Sequence, residues 1–309
     1  MTVTGVDHFA LTVPDLDAAA KFYAAFGLET SETSRGSIGA RCPGRPHDEI
    51  DLIEGTSKRL HHVGFRTTDD GLAELRTRLA ASGTVIDDEP PAGGEPVGIW
   101  FRDPHDVWVN VRVADPPAPA PFGAAPSNAG DARLRVDTAA WTTYDPNPRP
   151  RQLGHFLIFT PDIYASEAWY VENLGFVVSD RSLGKGHFLR AGDGFHHVFG
   201  FIGGSRHNGL HHVSFEMAGV DEIMLGTSRM REHGHDEVWG LGRHTIGSNL
   251  FSYIRDPWGS WCEYFADMDL VTSAWQPSDV EAPPHVWAPP MEADFFPRKF
   301  FYNAEGEGR

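Results

Sequence analysis

The chain has 309 residues, 26 Lys+Arg against 43 Asp+Glu and a formal net charge of −17, an excess that argues against binding to nucleic acid or to anionic membrane surfaces. Hydrophobic residues make up 40% with 20 Phe and 9 Trp, which excludes global disorder, and no apolar run reaches the roughly 20 residues of a membrane span. Two cysteines, Cys42 and Cys262, cannot form a disulfide framework, and the N-terminus lacks the pattern of a signal peptide, so a cytoplasmic protein of about two domains is expected.

In chain order, His8 to Val13 is a short apolar run that predicts a strand, and Asp15 caps a helix through Phe26 that stops at Gly27. Leu60 to Arg66 predicts a second strand and Gly71 to Ala81 a second helix. Pro116-Pro117-Ala118-Pro119-Ala120-Pro121 cannot join a sheet ladder and reads as a linker. Beyond it the plan repeats: a strand from His155 to Thr160, a helix from Asp162 to Leu174, a strand from Leu210 to Met217 and a helix from Val220 to His233.

The repetition is a duplication. Six positions separate His8 from Pro14 and His155 from Pro161, fifteen separate His8 from Tyr23 and His155 from Tyr170, and the following glycines, Gly27 and Gly175, differ by one residue of slack. Leu60-His61-His62-Val63 is echoed by Leu210-His211-His212-Val213, and Arg102-Asp103-Pro104 by Arg255-Asp256-Pro257. The expected architecture is α+β, four βαβββ modules in two tandem domains, each an incomplete barrel of mixed sheet around a cavity. The boundaries are a domain over 1–115, a linker over 116–145, a domain over 146–270, and a Pro-rich tail over 271–309 whose Trp275, Trp287, Phe295 and Phe296 could form a lid or an interface.

Strand alternation places His212, Ser214 and Glu216 on one face and His211, Val213 and Phe215 on the other. Glu263 lies in Trp261-Cys262-Glu263-Tyr264-Phe265, where an ionisable carboxylate is costly unless paired or bound to metal. With His155 at the start of the equivalent first strand, pseudo-symmetric strands deliver two imidazoles and one carboxylate, a ligand set suited to non-haem Fe(II) and O2 chemistry. Cys262 should point away from Glu263 as a core thiol, and His211 should be an outward neighbour of His212. His187, His207, His233 and His235 fall in turn or helix-end contexts.

The C-terminal half resembles the type I extradiol ring-cleaving dioxygenases of the vicinal oxygen chelate superfamily. The pattern that carries the resemblance is His244, Tyr253, Asp256-Pro257-Trp258-Gly259 and Glu263, with Ser252 where an aliphatic residue or Phe commonly precedes the Tyr. The resemblance extends over residues 5–270. It implies His155, His212 and Glu263 as metal ligands, His197 as the acid–base residue, and His244 and Tyr253 as a supporting catalytic pair. It also implies Fe(II) as cofactor, with Mn(II) possible, a catechol and O2 as substrates, and a homo-oligomer. His196 competes with His197 for the acid–base role, and the fifteen-residue spacing to His212 favours His197.

In the N-terminal half the matching positions are His8, His62 and Asn110, with Pro91 and Trp100 at the places of His244 and Tyr253. Neutral Asn is a poor anchor for Fe(II), so this half is expected to be metal-free, and His47, though fifteen residues before His62, reads as a loop residue. The small and aromatic flanks Trp239-Gly240-Leu241-Gly242 and Trp258, with Arg243 the sole cation beside His244, favour an apolar-substituted or bicyclic catechol. Two alternatives stand beside ring cleavage: a glyoxalase-like isomerase on the same scaffold, and a non-catalytic protein that sequesters a small aromatic.

Overall fold

In the computed structural model, which describes residues 2–116, 118–119, 127–142, 147–183 and 185–290, each half is built from two βαβββ modules. The first half runs β1 (Gly5–Val13), α1 (Leu16–Phe26), β2 (Glu29–Glu32), β3 (Ile38–Arg41), β4 (Ile50–Glu54), then β5 (Arg59–Thr67), α2 (Asp69–Ser82), β6 (Ile86–Asp87), β7 (Ile99–Arg102) and β8 (Trp108–Val113). These strands form an eight-stranded mixed sheet in the order β2-β3-β4-β1-β5-β8-β7-β6. The second half runs β9 (Leu153–Phe159), α3 (Ile163–Trp169), β10 (Val177–Ser182), β11 (Gly186–Arg190), β12 (Gly194–Phe195) and β13 (Phe199–Ile202). It continues with β14 (Gly209–Glu216), α4 (Val220–Glu232), β15 (Val238–His244), β16 (Leu250–Arg255) and β17 (Trp261–Ala266). Three short strands end it: β18 (Leu270–Val271), β19 (Ser278–Val280) and β20 (His285–Trp287). No helix among the described residues is long and apolar enough to cross a membrane.

Local chemistry sets the helix ends. Asp15 accepts a hydrogen bond from the Ala18 N–H at 2.9 Å, and Asp162 caps α3 through the N–H groups of Tyr164 and Ala165. The one residue of slack before Gly175 has a physical home: α3 does not continue to Leu174 but gives way to a π turn over Tyr170–Leu174, which absorbs the inserted residue.

The duplication extends to the register of the ladders. His8 pairs with Gly64 as His155 does with Ser214, and His62 with Trp108 as His212 does with Trp261. Gly64 and Trp100 both pair with Asn110, as Ser214 and Tyr253 pair with Glu263. A slip of one residue would turn every one of these side chains to the other face, so the shared register is what gives both halves the same inward row.

One continuous core joins the halves. Phe65 is fully buried and its ring lies 5.1 Å from both Phe176 and Phe199 and 6.0 Å from Phe156, all from the other half. Phe26 stacks on Tyr264 at 4.0 Å, whose hydroxyl donates to the Phe26 carbonyl, and the buried Glu49 carboxylate accepts the Leu153 N–H at 2.9 Å. Phe65→Ala is expected to cost about 3–5 kcal/mol, as large-to-small changes at well-packed aromatics do. Denaturant unfolding of the whole chain measures it, and a loss under about 1 kcal/mol would show that the halves are independently stable.

The tail is built into the second half's own sheet. That ten-stranded sheet has the order β19-β10-β11-β13-β9-β14-β17-β16-β15-β20, so two tail strands occupy opposite edges. A flat sheet of this size would hold its edges about 40 Å apart at ~4.8 Å per strand. The chain from Val280 to His285 can reach at most about 18 Å. The sheet is therefore rolled, and the tail straps its two edges together. Phe295 and Phe296 lie outside the described residues.

Candidate metal centre

Three central strands of the rolled sheet deliver the candidate ligands: β9 carries His155, β14 carries His212 and β17 carries Glu263. Gly154 makes room beside His155, because a Cβ there would fall 2.3 Å from the Phe265 ring that packs against the His155 imidazole. All three residues are buried, Glu263 completely. One donor atom from each lies within 4.8 Å of the others. Glu263 Oε2 is 3.1 Å from His155 Nε2 and 3.7 Å from His212 Nε2.

Each of the three has a buried polar atom with no hydrogen-bond partner: His155 Nδ1, His212 Nε2 and Glu263 Oε2. An uncompensated carboxylate in the interior is expensive. Two lone-pair-bearing atoms, His212 Nε2 and Glu263 Oε2, left bare and turned toward one point, fit a divalent cation. Burial alone would push the Glu263 carboxyl up, but the close imidazoles of His155, His244 and His212 outweigh it and hold it below the usual carboxylate range. Burial and the neighbouring His211 keep His212 well below its ordinary value, so its imidazole is neutral, as a ligand must be.

The other expected site residues surround this point. His197, just before β13, packs its ring 4.5 Å from His155 and 4.9 Å from Phe188, and is walled by Gly247, whose φ of +78° and missing side chain let the loop close on the imidazole. Its basicity is pushed well down by burial and by the four imidazoles of His155, His196, His212 and His244. Tyr253 on β16 pairs with Glu263, and its hydroxyl is 3.0 Å from His244 Nε2 at the end of β15. Trp239 lies parallel to Tyr253 at 5.7 Å.

One histidine expectation needs correction. His187 is not in a turn: it sits in β11, fully buried, with Nδ1 2.8 Å from Glu167, because the glycine-bounded segment before it starts a strand at Gly186. His211, expected as an outward neighbour of His212, is not solvent-exposed. It is buried, and its Nδ1 lies 2.6 Å from His212 Nδ1, close to a register irregularity between Leu210 and His212. His207, His233 and His235 lie in a bend or just beyond α4. Cys262 is a buried thiol facing Tyr23 in the other half.

Two contributors went unnoticed in the sequence. Asn249 donates from Nδ2 to Glu263 Oε1 at 3.2 Å, and its signal was a polar residue immediately before an apolar strand. The Pro284 carbonyl in the tail lies 3.1 Å from His244 Nδ1, and nothing in the sequence pairs those positions.

In the first half the equivalent residues are tied up differently. Asn110 donates to the Val97 and Ile99 carbonyls, and His8 Nε2 lies 2.9 Å from His62 Nε2. His8 Nδ1 is 2.7 Å from Asp7, which also pairs with Arg112 at 2.6 Å.

Comparison with known proteins gives consistent relatives. Residues 5–111 and 152–264 match the model of the Glyoxalase/Bleomycin resistance protein/Dioxygenase superfamily. Metapyrocatechase 2 of Cupriavidus necator is 35% identical over 98% of this chain and 93% of its own length. The manganese-dependent 2,3-dihydroxybiphenyl 1,2-dioxygenase of Geobacillus genomosp. 3 is 25% identical, covering 81% of this chain and 80% of its own. The crystal structure of a Mn(II)-bound glyoxalase from Novosphingobium aromaticivorans superposes with a TM-score of 0.74 at 26% identity, over 92% of this chain and 90% of its own.

Proposed function

The chain belongs to the Glyoxalase/Bleomycin resistance protein/Dioxygenase superfamily, and from that membership we propose that it is an extradiol dioxygenase that opens a catechol ring with both atoms of O2. The observation that carries the reading is the pair of partnerless buried atoms, His212 Nε2 and Glu263 Oε2, converging beside His155 with a buried imidazole, His197, next to them. His155, His212 and Glu263 would hold the metal, which we assign as Fe(II); Mn(II) takes the same ligands. When bound, such an ion supplies a template on which a catechol and O2 meet despite the spin barrier to their direct reaction.

The protein's own groups do the rest. Neutral His197 accepts a proton from a catechol hydroxyl and returns it later in the reaction. Tyr253 holds its hydroxyl between His244 and Glu263, where it can hydrogen-bond developing charge on the substrate. His244 retains partial exposure, its side chain being 20% accessible, and so forms the solvent-facing end of this pair.

Arg243 is engaged by Asp267 at 3.0 Å and by the Ser248 carbonyl, which leaves it poorly placed to recognise a substrate carboxylate. This supports a catechol with an apolar or bicyclic substituent, near Trp239 and Trp258. A cytoplasmic homo-oligomer, with the chemistry confined to the second half and a linker over 116–145, completes the reading.

The test is direct. Protein loaded anaerobically with Fe(II) and then given a panel of catechols in air should consume O2 and form a yellow ring-fission product. Bound iron without O2 uptake on any catechol would overturn the proposal. The likeness to a glyoxalase structure favours isomerisation as the second reading; turnover of a hemithioacetal without O2 would select it.

A further inference from the structure

The histidine that precedes His197 is held in a way that dictates where the His197 proton sits. His196 Nε2 is 2.9 Å from Asp180 Oδ2, and a carboxylate can only accept, so this nitrogen carries the hydrogen. Asp180 is itself fixed from the tail: Ser278 donates to Oδ1 through both its N–H at 2.7 Å and its hydroxyl at 2.9 Å, leaving Oδ2 for His196. Trp275 meets the His196 ring edge-on at 5.4 Å and anchors its own Nε1–H on the Ser179 carbonyl. The Ser179 hydroxyl donates to the His196 carbonyl.

A neutral His196 with its hydrogen on Nε2 has a bare Nδ1. That atom faces His197 Nδ1 at 3.1 Å, so His197 Nδ1–H must be the donor and His197 Nε2 the lone-pair nitrogen. No hydrogen-bond partner occupies Nε2 among the described residues. The device recurs: His61–His62 and His211–His212 make the same Nδ1 to Nδ1 contact at 2.8 and 2.6 Å. In the first pair His61 Nε2 donates to the Ala92 carbonyl and plays the part of His196.

We propose that Asp180 and His196, held by Ser278 of the tail strap, are positioning residues that lock His197 in the Nδ1–H tautomer and present Nε2 as the proton acceptor of the candidate site. The effect on rate rests on the acid–base reading of His197 given above; the tautomer itself does not. Asp180→Asn is the discriminating change, because it keeps the shape and reverses the polarity. With its oxygen still held by Ser278, the amide turns N–H toward His196 Nε2, which becomes an acceptor. His196 then carries its hydrogen on Nδ1 and donates to His197 Nδ1, which moves the His197 hydrogen to Nε2.

Two-bond proton–nitrogen spectra of histidine-labelled protein loaded with diamagnetic Zn(II) report each tautomer without any turnover. The wild-type chain should show His197 protonated on Nδ1, and Asp180→Asn should show it on Nε2. In the Fe(II)-loaded protein the same variant should lower kcat by about 100-fold or more, as losing a general base does, with KM and metal content within about two-fold. Wild-type His197 protonated on Nε2 overturns the proposal whether or not the variant folds, and so does a variant spectrum with the tautomer unchanged. An inverted tautomer with normal kcat keeps the lock and overturns the acid–base role of His197 instead.

Discussion

Glu263→Ala is expected to release the metal and reduce catechol turnover to the uncatalysed background in one stroke. Glu263 is the single carboxylate of the candidate ligand set, fully buried, with Oε2 bare and within 3.1 and 3.7 Å of two imidazoles. Two neutral imidazoles alone retain a divalent ion poorly, and a loss well beyond the about 10–100-fold that weaker supporting groups cost is expected. Collapse of the fold is not expected to confuse the result. The first half carries neutral Asn110 at the same register position and keeps the same ladder. Glu263→Asn therefore repeats a solution the chain already uses and serves as the matched variant. Elemental analysis of bound metal and an oxygen electrode measure both consequences, and stoichiometric metal in either variant would remove Glu263 from the ligand set.

His197→Ala is expected to do the opposite to the two readouts: metal content stays, and kcat falls by about 10²–10⁴-fold, the range a positioned general base supplies. The imidazole lies beside His155 without belonging to the group of three whose donor atoms converge. Its removal leaves a gap between Phe188 and Gly247 and touches no ligand–ligand distance. Steady-state kinetics alongside metal analysis checks it. Normal turnover would move the acid–base role to His196 or His244.

The duplication, both capped helices of the leading modules and the convergence of His155, His212 and Glu263 could be read from spacing because each depends on local periodicity or on the register of long strands. Those strands are patterned strongly enough that alternation places their side chains. The tail could not be read in this way. Ser278–Val280 and His285–Trp287 are three-residue strands with no internal pattern, and they become strands only because the edges at β10 and β15 offer unpaired backbone. His187 was misread for a related reason: the glycines before it signal a turn, while its burial depends on Glu167 from α3. The pairings of His196 with Asp180 and of His244 with Pro284 join distant positions whose meeting follows only from the rolled sheet.

The strap has a consequence for the order in which the molecule is made. The strands bearing His155, His212 and Glu263 are all synthesised before residues 278–287, so the edges at β10 and β15 are the last to gain their partners. Until then the outer backbone of β10 and β15 is unpaired, an aggregation hazard of the kind exposed edges carry. The strands β19 and β20 end that condition at both edges with a few hydrogen bonds each.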